Sequence, residues 1–150
     1  MDLIIAIFSL IVLLFSVIIH ELAHGYVAYS LGDPTAKYEG RLTLNPLKHL
    51  DLFGSIILPL VLALSGSPIL FGYAKPVPYN PYNLKGRWGE GFVAAAGALT
   101  NFSLALIIGL IIRFAGTGLP EAFVTVLGLA VYLNLLLGIF LGGYFIFTFR

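Results

Sequence analysis

Cysteine is absent from the 150-residue sequence, which excludes a disulfide framework and any thiolate metal site. A metal bound by this chain must therefore be held by His, carboxylate or carbonyl groups. Charged residues are also scarce, at 10% of the sequence against 59% hydrophobic residues. So few charges cannot cover the surface of a water-soluble domain. The composition predicts one membrane-embedded domain over residues 1–150, with the lipid bilayer as a partner.

An excess of positive charge is missing as well. The eight Lys and Arg residues are nearly balanced by seven Asp and Glu residues, which gives a formal net charge of +1. Domains that bind nucleic acid carry a concentrated basic surface. We therefore expect no nucleic-acid partner.

Three long apolar stretches predict three full transmembrane helices, over residues 3–31, 92–112 and 122–149. A fourth apolar stretch, residues 55–74, is interrupted by two prolines and two glycines, so it could either span the membrane or re-enter it. The polar segment of residues 37–44 contains Thr and Tyr and predicts a short β-hairpin or edge strand. The expected fold class is an all-α integral membrane protein with three full spans, a re-entrant or fourth apolar segment, and a β-hairpin-like loop.

Basic residues are distributed unevenly about these spans. The opposite side of the expected membrane carries only Arg113, whereas residues 32–91 carry six basic residues: Lys37, Arg41, Lys48, Lys75, Lys85 and Arg87. If residues 55–74 do not cross completely, the positive-inside bias places residues 32–91 in the cytoplasm. His20 lies about 25 Å along the first helix from residue 3, so we expect it near the cytoplasmic face.

The first predicted span contains the sequence His20-Glu21-Leu22-Ala23-His24. On a helix the two imidazoles lie on one face, about 6 Å apart, so both can bind one divalent metal. Glu21 is then placed to accept a proton from a metal-bound water, whose pKa zinc can lower to about 7. The alternative is that these are polar residues at the membrane interface. Ionisable groups inside a membrane segment are costly unless paired or coordinated, which favours the metal site.

The motif and the segments after it resemble the site-2 protease family of intramembrane zinc metalloproteases, in its short bacterial or archaeal form. The resemblance runs from about Phe15 to Phe140 and rests on FSVIIHELAHGYVAYSLGDPTAKYEGRLTLNPLKHLDLFG, GYAKPVPYNPYNL, GALTN and LNLLLGIF. It implies a zinc metalloendopeptidase in the cell membrane of a prokaryote, which cleaves transmembrane protein substrates. It also implies that His20 and His24 are the zinc ligands and that Glu21 is the catalytic base.

The segment GALTN, residues 97–101, resembles the family's Gly-Pro-x-x-Asn element, with Ala98 where proline is usual. An Asn amide can donate a hydrogen bond to a developing oxyanion, which makes Asn101 a candidate catalytic residue. The alternative is that Asn101 forms a helix–helix hydrogen bond and that the small residues around Gly97 allow close packing.

Loop and span residues outside these motifs have less specific interpretations. Residues 41–45 and 72–81 could offer an edge to a locally extended substrate, or could be plain surface loops. We expect His49 and Asp51 to be solvated loop residues, although either could approach the metal. Asn134, with the neighbouring Tyr132, is expected to pack between helices.

A third metal ligand is missing where the family has one. A hydrolytic zinc ion usually has three protein ligands, and the family supplies the third from an Asp-Gly pair near the inner end of the last span. Residues 141–150 contain no acidic residue. The alternatives are a truncated or frame-shifted product, a ligand from His49, Asp51 or a second subunit, or a catalytically inactive member that binds substrate or metal.

Overall fold

The structure is a computed structural model that describes residues 3–66 and 74–148. Regular structure in these two ranges consists of helices, and they contain no β-strand. The α-helices are α1 (Leu3–Ser30), α2 (Thr35–Tyr38), α3 (Leu58–Leu64), α4 (Gly89–Ala115) and α5 (Glu121–Thr148). Short 3₁₀ turns occur at Pro46–Lys48, Pro81–Asn83 and Gly116–Gly118, and a π-helical segment, Leu52–Ile57, leads into α3.

Three of the described helices are long and apolar enough to cross a membrane. These candidate spans are Ile7–Ser30, Gly89–Gly118 and Glu121–Phe140, each near or above the length of about 20 residues that a bilayer requires. They fall on the three stretches that the sequence predicted as full spans. The main all-α expectation therefore agrees with the structure.

The fourth apolar stretch is described only in part. The helical region of this stretch starts after Asp51, which caps it. The Asp51 carboxylate accepts a hydrogen bond from the Gly54 N–H at 2.7 Å. The π-helical segment and α3 continue into each other over residues 52–64. This run extends for about 20 Å at most, which is too short to cross a bilayer. Residues 67–73 lie outside the described residues, so a full span and a re-entrant segment both stay predictions.

The predicted β-hairpin-like loop is wrong. Residues 35–38 form α2 instead, and backbone groups of the following residues find partners other than a second strand. The Arg41 N–H donates to the Ala36 carbonyl at 2.9 Å, and the Thr43 carbonyl bonds the His49 imidazole at 2.8 Å. Because local turns and side chains satisfy these backbone groups, the segment is ordered without a β-ladder.

The long helices pack through α4, which contacts both α1 and α5, while α1 also contacts α5. Asn134 on α5 is buried and donates to the Ser16 hydroxyl of α1 at 2.9 Å. This contact agrees with the packing role expected of Asn134. Tyr132 is exposed, so the same expectation is wrong for its side chain.

Asp33 joins the end of α1 to a distant loop. Its buried carboxylate accepts hydrogen bonds from the Thr35 hydroxyl at 2.6 Å, the Asn80 N–H at 2.8 Å and the Asn83 amide at 2.9 Å. Burial alone would raise the pKa of Asp33. The hydrogen bonds from Thr35, Asn83 and Asn80 outweigh burial and hold the pKa below its ordinary value of 3.8. The charged carboxylate therefore stabilises the connection between the two segments.

We predict that Asp33→Asn lowers the free energy of unfolding by about 1–3 kcal/mol at neutral pH, because an amide replaces a charged acceptor of several hydrogen bonds. The pKa of Asp33 is lower in the folded state, so its contribution is present above pH 3.8 and is lost as the pH falls through the folded-state pKa. Thermal unfolding in detergent should show a difference between variant and parent that shrinks in acid. The exposed Glu39 provides the control, Glu39→Gln. Equal stability of Asp33→Asn and parent at neutral pH would contradict this role.

Candidate metal centre

One turn of α1 brings together the three side chains of the His-Glu-x-x-His motif. Ligand atoms from His20, Glu21 and His24 all lie within 4.8 Å of one another. The two imidazole Nε2 atoms are 3.0 Å apart. Two nitrogen ligands of one tetrahedral zinc ion lie about 3.3 Å apart. The donor set and its spacing therefore fit a shared divalent cation.

The orientation of His24 is fixed by the neighbouring helix. Its Nδ1 lies 2.6 Å from the backbone carbonyl oxygen of Val93 on α4. A carbonyl oxygen only accepts hydrogen bonds, so Nδ1 carries a proton, and in the neutral ring the lone pair is then on Nε2. A backbone carbonyl on the second ring nitrogen is one of the usual ways in which a protein orients a metal-binding histidine.

Gly97 leaves the space into which both histidine rings point. It lies one turn after Val93 on α4, and a Cβ atom built there would lie 2.5 Å from His20 Nε2 and would also overlap His24 Nε2. The site is thus a gap between α1 and α4, and any side chain at this position would fill it. From the sequence, Gly97 was identified as part of the segment that resembles the family's Gly-Pro-x-x-Asn element and as a small residue that allows close packing; its proximity to the histidine rings was not foreseen.

The Glu21 side chain is held by the loop that contains Val77. One oxygen of its carboxylate accepts a hydrogen bond from the Val77 N–H at 2.8 Å. A second glycine makes this approach possible, because a Cβ atom on Gly25 would lie 2.6 Å from a Leu42 side-chain carbon and 2.7 Å from one of Val77. Sequence reasoning missed Val77 and Gly25. A glycine inside a helical pattern was the available signal.

Asn101 lies one turn after Gly97 on the same face of α4. Its side chain is fully buried, and neither its amide nitrogen nor its oxygen has a hydrogen-bond partner within the described residues. The helix–helix hydrogen bond considered from the sequence is thus not formed in this part of the chain. An unsatisfied buried amide is costly, so the structure gives Asn101 no stabilising hydrogen bond among the described residues.

His49 and Asp51 do not join the metal centre. His49 is buried, with Nε2 at 2.8 Å from the Thr43 carbonyl, so the expectation that it is solvated is wrong. The Asp51 carboxylate accepts a hydrogen bond from the Gly54 N–H. Among residues 3–66 and 74–148, the described side chains place no further His, Asp or Glu in the group. The third ligand of a usual hydrolytic zinc site is thus not among them.

A cavity of about 550 Å³ borders α1 at the turn that carries the motif. It opens between α1, the segment of residues 42–44 and α4. Most of its lining is apolar, and the lining residues are Ile19, Leu22, Ala23, Tyr26, Leu42, Thr43, Leu44 and Thr100.

Comparison with known proteins gives a consistent result. Residues 8–145 match the protein family described as Peptidase family M50. The chain is 46% identical over 101 residues to the "Putative zinc metalloprotease YwhC" of Bacillus subtilis. The aligned region covers 67% of this chain and 42% of that protein. It is 32% identical over 96 residues to the "Putative zinc metalloprotease Rip2" of Mycolicibacterium smegmatis, covering 63% and 36% respectively. The chain thus spans about two fifths of the length of these curated relatives. No solved structure has significant similarity to it.

We predict that Gly97→Ala weakens zinc binding by about tenfold or more, because the added methyl group occupies the space where the two Nε2 atoms meet. Zinc content after dialysis against graded chelator measures the effect, with helical content checked by circular dichroism. Gly109→Ala on the same helix is the matched control, since nothing lies within 4 Å of its added Cβ. Equal zinc retention by the two variants would show that the site does not lie between α1 and α4.

Proposed function

The chain belongs to peptidase family M50, the family of the site-2 proteases, and we propose that it is an intramembrane zinc metalloprotease that hydrolyses peptide bonds of transmembrane protein substrates. Membership of this family supports a protease. Together with the three long apolar helices, it indicates an integral membrane protein. The observation that carries the proposal is the convergence of His20, Glu21 and His24 within 4.8 Å on one of those helices.

The proposed chemistry divides the work among the three motif residues. His20 and His24 would hold the zinc ion, since their Nε2 atoms face each other. When bound there, zinc supplies Lewis-acid chemistry, which polarises the scissile carbonyl and makes water more acidic. The Glu21 carboxylate removes a proton from the attacking water and transfers it to the leaving amine. The Val93 carbonyl keeps His24 in the tautomer that presents Nε2.

Asn101 completes the proposed catalytic set. Its amide donates a hydrogen bond to the substrate carbonyl oxygen as negative charge develops there. Support comes from its position one turn from Gly97 and from its lack of a hydrogen-bond partner in the described structure. A group prepared for the transition state is expected to be unsatisfied before substrate binds.

The substrate is proposed to bind in an extended form beside α1. A peptide bond in a helix is shielded by its own hydrogen bond, so the substrate helix must unwind locally before hydrolysis. The apolar cavity next to the motif is bounded on one side by residues 42–44, which form neither helix nor strand. An apolar lining suits the side chains of a membrane-spanning segment.

The protein is proposed to lie in the cell membrane of a prokaryote, with its metal centre near the cytoplasmic face. Support comes from the charge distribution. Arg113 is at one end of α4, and the short turn Gly116–Gly118 returns the chain through α5. Six basic residues lie in the region 32–91 at the other end. With residues 55–74 re-entering the membrane instead of crossing it, a positive-inside orientation puts the metal centre on the cytoplasmic side.

We predict that Glu21→Gln retains zinc but lowers the rate of cleavage by at least roughly 100-fold, because the amide cannot act as a base. The assay uses a fluorogenic peptide with a membrane-spanning apolar sequence, reconstituted with the chain in vesicles, together with zinc analysis. The exposed Glu90 gives the control, Glu90→Gln. Unchanged cleavage by Glu21→Gln would refute its role. Stoichiometric zinc in a parent chain that cleaves nothing would instead support a metal-binding family member without activity.

We predict that Asn101→Leu lowers kcat by roughly 100-fold without loss of zinc or of thermal stability. The side chain is buried and makes no hydrogen bond in the described structure, so an apolar residue of similar size removes an unsatisfied group instead of a contact. Cleavage kinetics, zinc content and thermal unfolding are measured on one preparation. A large loss of stability with normal cleavage would show that Asn101 serves helix packing.

A further inference from the structure

We propose that Arg41 is a positioning residue for Glu21, and that it acts through the single peptide bond between Pro76 and Val77. The inference rests on the proposed function, because it concerns the carboxylate assigned there as the base. Neither Arg41 nor this peptide bond carries a role in the mechanism described above. The link is built from hydrogen bonds among sequence-distant residues.

The peptide bond belongs to a strap, defined as residues 75–80, that is fastened at both ends. The Lys75 N–H donates to the His49 carbonyl at 2.8 Å, and the Asn80 N–H donates to the Asp33 carboxylate at 2.8 Å. Pro76 and Pro78 carry no N–H group. Val77 is therefore the one residue of these three that can donate a backbone hydrogen bond to α1.

The two ends of the Pro76–Val77 peptide contact groups of opposite charge. The Pro76 carbonyl accepts a hydrogen bond from the Arg41 guanidinium at 3.0 Å, while the Val77 N–H donates to the Glu21 carboxylate at 2.8 Å. The peptide is planar, so these two groups are rigidly coupled. A cation at the oxygen and an anion at the N–H polarise the same unit, which strengthens both hydrogen bonds.

Arg41 is itself buried, with only 6% of its surface exposed. Its guanidinium also bonds the carbonyls of Lys48 and Lys75, the latter at 2.7 Å. Its described hydrogen bonds all go to backbone carbonyls, and no described carboxylate pairs with it. Burying an unpaired cation is costly. The arrangement is understandable if the anion that balances Arg41 is Glu21, reached through the peptide.

The strap packs closely against α1, so a shift of the strap backbone changes the position of the Glu21 carboxylate. Val77 is buried at 6% exposure, and its side chain lies over Gly25, where an added Cβ would be only 2.7 Å away. A lysine at position 41 keeps the charge but lacks the planar fork that bonds several carbonyls at fixed angles. Arg41→Lys should therefore loosen the Val77 contact without removing the positive charge.

The test combines site-resolved hydrogen exchange with cleavage kinetics on the full chain in vesicles. In Arg41→Lys we expect the Val77 amide to exchange about tenfold faster and kcat to fall by roughly 10- to 100-fold, with KM and zinc content unchanged. Glu21→Ala should release the Val77 amide to a similar extent. The double variant should add little to either single variant, because both act on one peptide. Arg87→Lys, at an exposed arginine of the same region, is the matched control and should change none of these values.

Unchanged protection of the Val77 amide in Arg41→Lys or in Glu21→Ala would overturn the inference. So would faster exchange throughout α1 and α4 in Arg41→Lys, since that would indicate a general structural role. The exchange comparison does not depend on turnover. A parent chain that cleaves no substrate would defeat the proposed function, while the exchange of the Val77 amide would still decide whether Arg41 holds the strap against Glu21.

Discussion

The close approach of α4 to α1 at Gly97 is the contact on which the metal centre depends. With no side chain at this position, the His20 and His24 rings can meet in the space between the helices, and the Val93 carbonyl can reach His24. In a bilayer, apolar side chains gain little by leaving lipid for a neighbouring helix, so small residues and interhelical hydrogen bonds decide which helices associate. The same short stretch of α4 thus serves both helix association and ligand orientation.

The loops at the end of α1 are organised by two buried charges of opposite sign that do not contact each other. The Asp33 carboxylate accepts hydrogen bonds from residues 35, 80 and 83. The Arg41 guanidinium donates hydrogen bonds to the backbone carbonyls of residues 48, 75 and 76. Each charge is satisfied mainly by polar groups of the loops. This pattern holds two irregular segments together without a β-ladder, and it explains why a polar region that contains Thr and Tyr folds without strands.

Local patterns were sufficient to predict the spans and the histidine pair, because hydrophobic length and i, i+4 spacing are properties of one helix. The rest of the site depends on contacts between distant parts of the chain. Glu21 meets Val77 and His24 meets Val93 across 56 and 69 residues, and nothing in the local sequence marks these partners. The burial of His49 and the absence of a hairpin were missed for the same reason, since both follow from backbone partners that side-chain patterning does not reveal.

Two of the three motif side chains are held by hydrogen bonds to backbone groups of distant segments. His24 is oriented by a carbonyl of α4, and Glu21 by an N–H of the strap. Backbone groups bring no ionisable side chain into the membrane, where such groups are costly. The precision of the site therefore depends on the paths of two backbones. Four residues that lack a side chain or an N–H contribute to these paths: Gly25, Gly97, Pro76 and Pro78. Residues that contribute no reacting group of their own thus help to control the geometry of this centre.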